Sequence, residues 1–386
     1  METDLKEIVA TQWLELEEGF RTDSGVVIPK VSIAYEVYGT LNEKASNAVL
    51  LFHALTGSQH AHGWNDKVPG TGTLWRPENY EGWWDRMIGP GKPLDTEKYC
   101  IICANYLGSC YGTTGPTSPH PDDGQPWGGR FPHVTVGDQA RLMATLLDRL
   151  GIDRVTLVGP SVGGLVALQF AVSYAPRVKC LISVGSGYRA SIERRLSTFE
   201  QILAIELDPD FNAGNYYSGP GPQKGLAFAR IIGHKAFVYQ EGLERRARRE
   251  VGDSCGMLSW LKPTRSTQSY MLHQGTKFAL RFDANAYLRI ADMWSEFDIC
   301  DNAVSGSFTD ALAPCAQQKI PFLVFSIDTD CCFRPAEQET FVQLLQEAGV
   351  TTEFHTITSE KGHDSFLLEP ELYAEPLQRF LTQALH

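Results

Sequence analysis

The chain has 386 residues, 43% of them apolar and 21% charged, enough to bury a large core in two domains or in one domain with an insertion. Its formal charge of −12 argues against nucleic acid or an anionic membrane as partner and points to a small ligand met inside a pocket. The acidic N-terminus lacks a basic segment followed by an apolar core, and no run of about eighteen apolar residues occurs. A cytoplasmic protein without a membrane span is therefore expected. The nine cysteines are scattered, and the Cys100–Cys103 spacing falls in a β-rich run. They read as reduced, mostly buried thiols, with no metal site.

In chain order, VSIAYEVYG (31–39), AVLLFHAL (48–55) and YCIICANYL (99–107) read as strands. DQARLMATLLDRLGI (138–152) is an amphipathic helix with Leu142, Leu146, Leu147 and Leu150 on one face, ended by Gly151. RVTLVG (154–159) is a buried strand, GGLVALQFAVSYAP (163–176) a helix and VKCLISVG (178–185) the next strand. This rhythm predicts right-handed βαβ units and a mostly parallel sheet. From 186 to 318 strand-like runs nearly vanish and helical segments follow one another, as in an inserted lid. IPFLVFSID (320–328) restores a strand; AEQETFVQLLQEAG (336–349), TEFHTIT (352–358) and PLQRFLTQAL (376–385) complete the alternation. The expected organisation is a core of 1–185 and 319–386 around a helical lid of 186–318.

Gly159-Pro160-Ser161-Val162-Gly163 matches G-x-S-x-G in a turn between a strand and a helix. A nucleophile elbow needs that placement, with small neighbours for a sharp turn and a helix N-terminus aimed at developing negative charge. A serine hydroxyl needs a base. Of the histidines after the inserted segment, His355 lies in a strand pattern and His386 ends the chain, whereas His363 sits in the loop EKGHDSFL. The acid should follow the strand that ends near Ser326. Asp328 and Asp330 both qualify, and Asp330 stands further from the strand end. The backbone N–H of Val162 is one expected oxyanion donor; Leu55 or a close neighbour in HALTGS, after an early strand, is the candidate for the second.

FHALTGSQH, GWWDRMIGPGKPLDT, NYLGSCYGTTGPTSP, LDPDFNAGNYY, GLAFAR, HQGTKFALRFDANAYL and GHDSFLLE, with the elbow, resemble the homoserine O-acetyltransferase family from about residue 14 to 380. The resemblance implies an α/β-hydrolase fold and a role in methionine biosynthesis. It implies Ser161 as nucleophile, Asp330 as acid and His363 as base, with Leu55 and Val162 as oxyanion donors. Arg230 would hold the carboxylate and Asp364 the ammonium of an amino-acid acceptor. The acyl donor would be acetyl-CoA, a substrate rather than a bound cofactor, and the assembly is expected to be a homodimer. Pro160 and Val162 depart from the family's usual G-G-S-M-G-G, and Ile202 stands near a position where many members carry a basic residue. Both changes are expected near the reading of acyl group or acceptor. The basic run ERRARRE (244–250) is either a solvated helix face or a contact for the phosphates of coenzyme A. Serine as acceptor, succinyl-CoA as donor, ester hydrolysis and a catalytically idle scaffold are the competing readings.

Overall fold

The computed structural model describes residues 7–246, 256–260 and 262–385. Its centre is an eight-stranded sheet: β1 (Gln12–Leu16), β2 (Val31–Tyr38), β3 (Ala48–Leu51), β4 (Cys100–Ala104), β5 (Val155–Pro160), β6 (Val178–Val184), β7 (Phe322–Ile327) and β8 (Thr352–Ile357). The spatial order is β1-β2-β4-β3-β5-β6-β7-β8. β2 pairs antiparallel with both neighbours, and from β4 onward every pairing is parallel. Parallel strands covered on both faces lose the polar-out alternation, and β5, VTLVGP, is buried at every position. Successive strand residues feed opposite layers: Leu50 and Leu157 enter one apolar core, Val49, Leu51 and Val158 the other.

Helix α1 (Val136–Arg149) starts at a capping box in which Thr135 and Asp138 satisfy each other's backbone N–H groups, and it packs on α2 (Val162–Ser173). α2 is buried from Val162 to Val172, so its sequence is apolar all round up to the exposed Ser173. β1 has no counterpart among the sequence expectations. It is an edge strand with one fully buried residue, Leu16, and pairing with β2 rather than alternation holds it in place.

Between β6 and β7 the elements are α3 (Ile192–Glu206), α4 (Gln223–Phe237), α5 (Gln240–Arg246), α6 (Ser266–Ala279), α7 (Ala284–Ser295) and α8 (Phe308–Gln317). α4 packs against α3 and α6, whereas α8 packs against α2 and α9 (Pro335–Glu347). Asp283 ties this layer together. It caps α7 by accepting the Ala286 N–H at 2.9 Å, and it also accepts the hydroxyls of Tyr216 at 2.7 Å and Tyr217 at 3.1 Å. After β8 come the short α10 (Ser365–Leu368) and α11 (Glu371–Leu385). α11 begins a turn before Pro376, where the proline pattern alone would start it. The extra turn carries Tyr373, which is buried against Phe325 and hydrogen-bonds Ser365.

Candidate active site

β5 ends at Pro160 and α2 begins at Val162, so Ser161 turns the chain alone, at φ 55° and ψ −128°. That conformation is costly for a residue with a side chain. Neighbouring backbone enforces it: the Ser161 N–H donates to the Val184 carbonyl at the end of β6, and the Gly164 N–H donates to the Ser161 carbonyl, both at 2.9 Å. The glycines are there for close approach. A Cβ on Gly159 would lie 2.2 Å from the Gly163 carbonyl oxygen, and one on Gly163 2.4 Å from that of Phe52. The elbow is thus wedged against the chain leaving β3.

The Ser161 hydroxyl donates to His363 Nε2 at 2.8 Å, and His363 Nδ1–H donates to Asp330 Oδ2 at 2.7 Å. Asp330 Oδ1 accepts the N–H groups of Cys332 (2.6 Å) and Phe333 (2.9 Å), which fixes the carboxylate in the loop after β7. Asp328 takes no part: it is exposed, and its carboxylate accepts the Ser359 N–H. All three relay residues are buried, at 5% exposure or less. Phe237, Phe333 and Phe366 box the imidazole, with ring centroids 5.9, 5.7 and 5.5 Å away. Phe237 comes from the end of α4, whose following backbone crosses so close that a Cβ on Gly362 would lie 2.5 Å from the Tyr239 nitrogen. Burial disfavours the imidazolium, but the charge of Asp330, its hydrogen bond and the nearby Asp364 outweigh it, so the His363 pKa is raised above 6.5.

A pocket of about 290 Å³ is lined by Asp364, next in sequence to His363, and by Ala54, Thr56, Gly57, Arg230 and Arg281 among others. Arg230, on α4, lies over the rings of Phe278 (4.9 Å) and Phe237 (5.2 Å). Arg281 lies over Phe278 as well, at 5.2 Å. Burial and the like charge of Arg281 lower the Arg230 pKa. Asp364 follows His363; burial raises its pKa against the pull of His363 and Arg230. The cation and the carboxylate therefore face one cavity, a complement for a zwitterion. Val162 opens α2, and Leu55 lies in the turn Ala54–Gly57 after β3. The structure thus brings the seven expected positions to one region.

Two other expectations have different outcomes. Ile202 lines a separate cavity of about 360 Å³ with Glu206, Phe211 and Leu288 and is not among the residues lining the Arg230 pocket. Of the basic run 244–250, residues 247–250 lie outside the described residues; Arg245 pairs with Glu360 at 2.7 Å on the surface. Arg281 had no role assigned from sequence. Its signal is its place three residues after Phe278, at the end of α6, which returns the guanidinium to the same ring as Arg230. Among the described residues no group of three His, Cys, Asp or Glu side chains is disposed to hold a metal ion.

A profile of the alpha/beta hydrolase fold matches residues 47–370. The homoserine O-acetyltransferase of Rhodospirillum rubrum is 38% identical over 371 residues, covering 94% of this chain and 90% of that protein. The chain belongs to the homoserine O-acetyltransferase family of the α/β-hydrolase fold. Among solved structures, homoserine O-acetyltransferase from Bacillus anthracis superposes with a TM-score of 0.85 at 28% identity, covering 97% of this chain and 98% of that one. An esterase superposes with a TM-score of 0.82 at 26% identity, covering 97% and 100%. The fold is therefore shared between a transferase and an esterase, and the pocket must separate the two activities.

Proposed function

We propose that this enzyme transfers an acetyl group from acetyl-CoA to the hydroxyl of L-homoserine through an acetyl-Ser161 intermediate, as a step of methionine biosynthesis. The observation that carries the reading is the buried Ser161–His363–Asp330 relay, with Asp364, next in sequence to His363, lining a pocket that also holds Arg230. His363 takes the Ser161 proton as the oxygen attacks the thioester carbon. The N–H groups of Leu55 and Val162 receive the oxyanion. The C–S bond breaks and His363 returns the proton to the coenzyme A thiolate. The homoserine hydroxyl then gives its proton to His363, attacks the acetyl-enzyme, and releases O-acetylhomoserine as Ser161 is reprotonated. Asp330 holds the Nδ1–H tautomer and stabilises the imidazolium. Arg230 pairs with the acceptor carboxylate and Asp364 with its ammonium. Acetyl-CoA is a substrate, and no bound cofactor is needed.

The helical segment 186–318 serves as the lid that keeps water from the acetyl-enzyme, with α4 supplying Arg230 and Phe237. The protein works as a cytoplasmic homodimer. Support for the dimer is the apolar groove between α3, α4 and α6, where Leu207 is 77% and Phe228 53% exposed. No helix among the described residues is long and apolar enough to cross a membrane. Thiol release from acetyl-CoA tests the function. It should be slow in buffer and with serine, and fast with homoserine. Release that homoserine does not accelerate would make the enzyme a hydrolase; faster release from succinyl-CoA would reassign the donor.

A further inference from the structure

His53 follows β3, is completely buried, and has no part in the chemistry above. Its Nδ1 lies 2.7 Å from the carbonyl oxygen of Ala54. A carbonyl only accepts, so Nδ1 carries the proton. The same Ala54 oxygen accepts the Gly57 N–H at 2.9 Å, closing a turn whose first central residue is Leu55. Two donors from different directions therefore pin one carbonyl. That carbonyl shares its peptide plane with the Leu55 N–H, and no cis peptide bond occurs among the described residues, so the N–H points opposite to the pinned C=O. Fixing the Ala54 oxygen fixes the aim of the Leu55 donor.

The ring itself is packed in place, although its Nε2 has no hydrogen-bond partner among the described residues. Tyr106 lies against it, with centroids 3.8 Å apart, and its hydroxyl donates to the His53 carbonyl at 2.6 Å. The Asn105 side chain faces the ring. A Cβ on Gly57 would lie 2.9 Å from the His53 Cβ, so the turn closes tightly over it. Burial lowers the His53 pKa to about 4, so the ring stays neutral and keeps a single N–H.

We propose that His53 is a positioning residue for the oxyanion hole: its Nδ1–H locks the Ala54–Leu55 peptide so that the Leu55 N–H stands ready for the tetrahedral intermediate. The proposal rests on Leu55 being an oxyanion donor, and the experiment tests that separately. His53→Asn keeps a donor at the δ position. His53→Gln moves it one bond further out. Thienylalanine at 53 keeps a five-membered ring against Tyr106 and has no N–H. Replacing Leu55 by its α-hydroxy acid removes the Leu55 N–H and leaves the Ala54 carbonyl as a weaker, ester acceptor.

Single-turnover acetylation and deacetylation are measured for each, with homoserine affinity and thermal unfolding as controls. Losing one oxyanion donor costs about 10²–10³-fold in rate, so the Leu55 ester, thienylalanine and Gln variants should each slow both half-reactions by about 10²-fold, with homoserine affinity within about threefold. His53→Asn should recover at least about tenfold of that loss, a rescue that packing alone does not predict. On the Leu55 ester background, thienylalanine at 53 should cost nothing further. A Leu55 ester with wild-type rates would remove Leu55 from the oxyanion hole and the proposal with it. A slow Leu55 ester beside a fast thienylalanine variant would overturn the His53 role alone, as would losses that multiply in the double variant. Thienylalanine keeps the measurement available if His53→Gln does not fold.

Discussion

Ser161 combines a strained backbone with the side chain proposed as nucleophile, and the two can be separated by substitution. Ser161→Ala should stop acetyl-enzyme formation, seen as loss of the added acetyl mass, and lower kcat by at least about 10³-fold. Ser161→Gly should be equally inactive yet more stable by about 1 kcal/mol in urea unfolding, because glycine holds φ 55° without strain. A glycine variant less stable than wild type would show that the elbow is not strained. Asp330→Asn should slow both half-reactions, since the imidazole loses the partner of its Nδ1–H, while Asp328→Asn should be mild because Asp328 only holds the Ser359 N–H. The reverse order would move the acid to Asp328. Arg230 separates the half-reactions from each other. Acylation of Ser161 involves no amino acid, so Arg230→Ala should leave it within about threefold of wild type. Losing a charge-assisted contact in a pocket costs about 2–5 kcal/mol, so transfer to homoserine should fall by roughly 30-fold to several thousand-fold. Equal transfer rates in the variant and wild type would take Arg230 out of the acceptor site.

At the scale of elements, local periodicity carried the core strands, and the strand–turn–helix around Ser161 was legible because the chemistry there is local in sequence. His363 was legible by elimination, from chain order and a glycine loop. What could not be read is what depends on contacts between distant segments. β1 owes its existence to pairing with β2. Arg230 from spacing alone is an ordinary surface cation; only the family resemblance gave it a role, and only folding stacks it with Arg281 on Phe278. His53 stands in FHALTGSQH with no role legible there, because its proposed function lies in a peptide plane that no residue pattern displays. The same holds for LDPDFNAGNYY and RFDANAYL, which meet at Asp283. Asp283→Ala would remove the cap of α7 and leave two tyrosine hydroxyls without their acceptor, at a cost of roughly 2–5 kcal/mol. Asp283→Asn keeps one acceptor oxygen and should lose less than half as much. Urea midpoints measure both, and an Ala variant within about 0.5 kcal/mol of wild type would show that Asp283 does not hold the layer together.

For the whole molecule, buried histidines of opposite kinds set two pH windows. Burial lowers the pKa of His53 to about 4, and burial together with the charge of Arg230 lowers that of His234 to about 3, both from 6.5. Below 6.5 the unfolded chain takes up protons at both positions that the folded chain refuses, so their contribution to stability is full above 6.5 and declines as pH falls towards 4 and 3. Two such protons correspond to a slope of at most about 2.7 kcal/mol per pH unit. Asp364 and Asp283, whose pKa values are raised, act in the other direction and blunt this at the acid end. His363 differs because its folded pKa lies above 6.5. Its contribution to stability is present below 6.5 and is lost as pH rises through the folded value, but the proposed mechanism needs the neutral ring. Acylation by acetyl-CoA should therefore fall on the acid side with a midpoint above 6.5, at pH values where His53 and His234 still leave the fold intact. The expected result on acidification is a reversible loss of acylation first and a loss of stability afterwards. His234→Phe separates the two: it should reduce the slope of urea stability against pH between 6 and 4.5 by about one proton while leaving the acid midpoint of acylation in place. If activity and fold are lost together, or if the slope is unchanged in His234→Phe, the division of labour between the buried neutral histidines and the catalytic one is wrong.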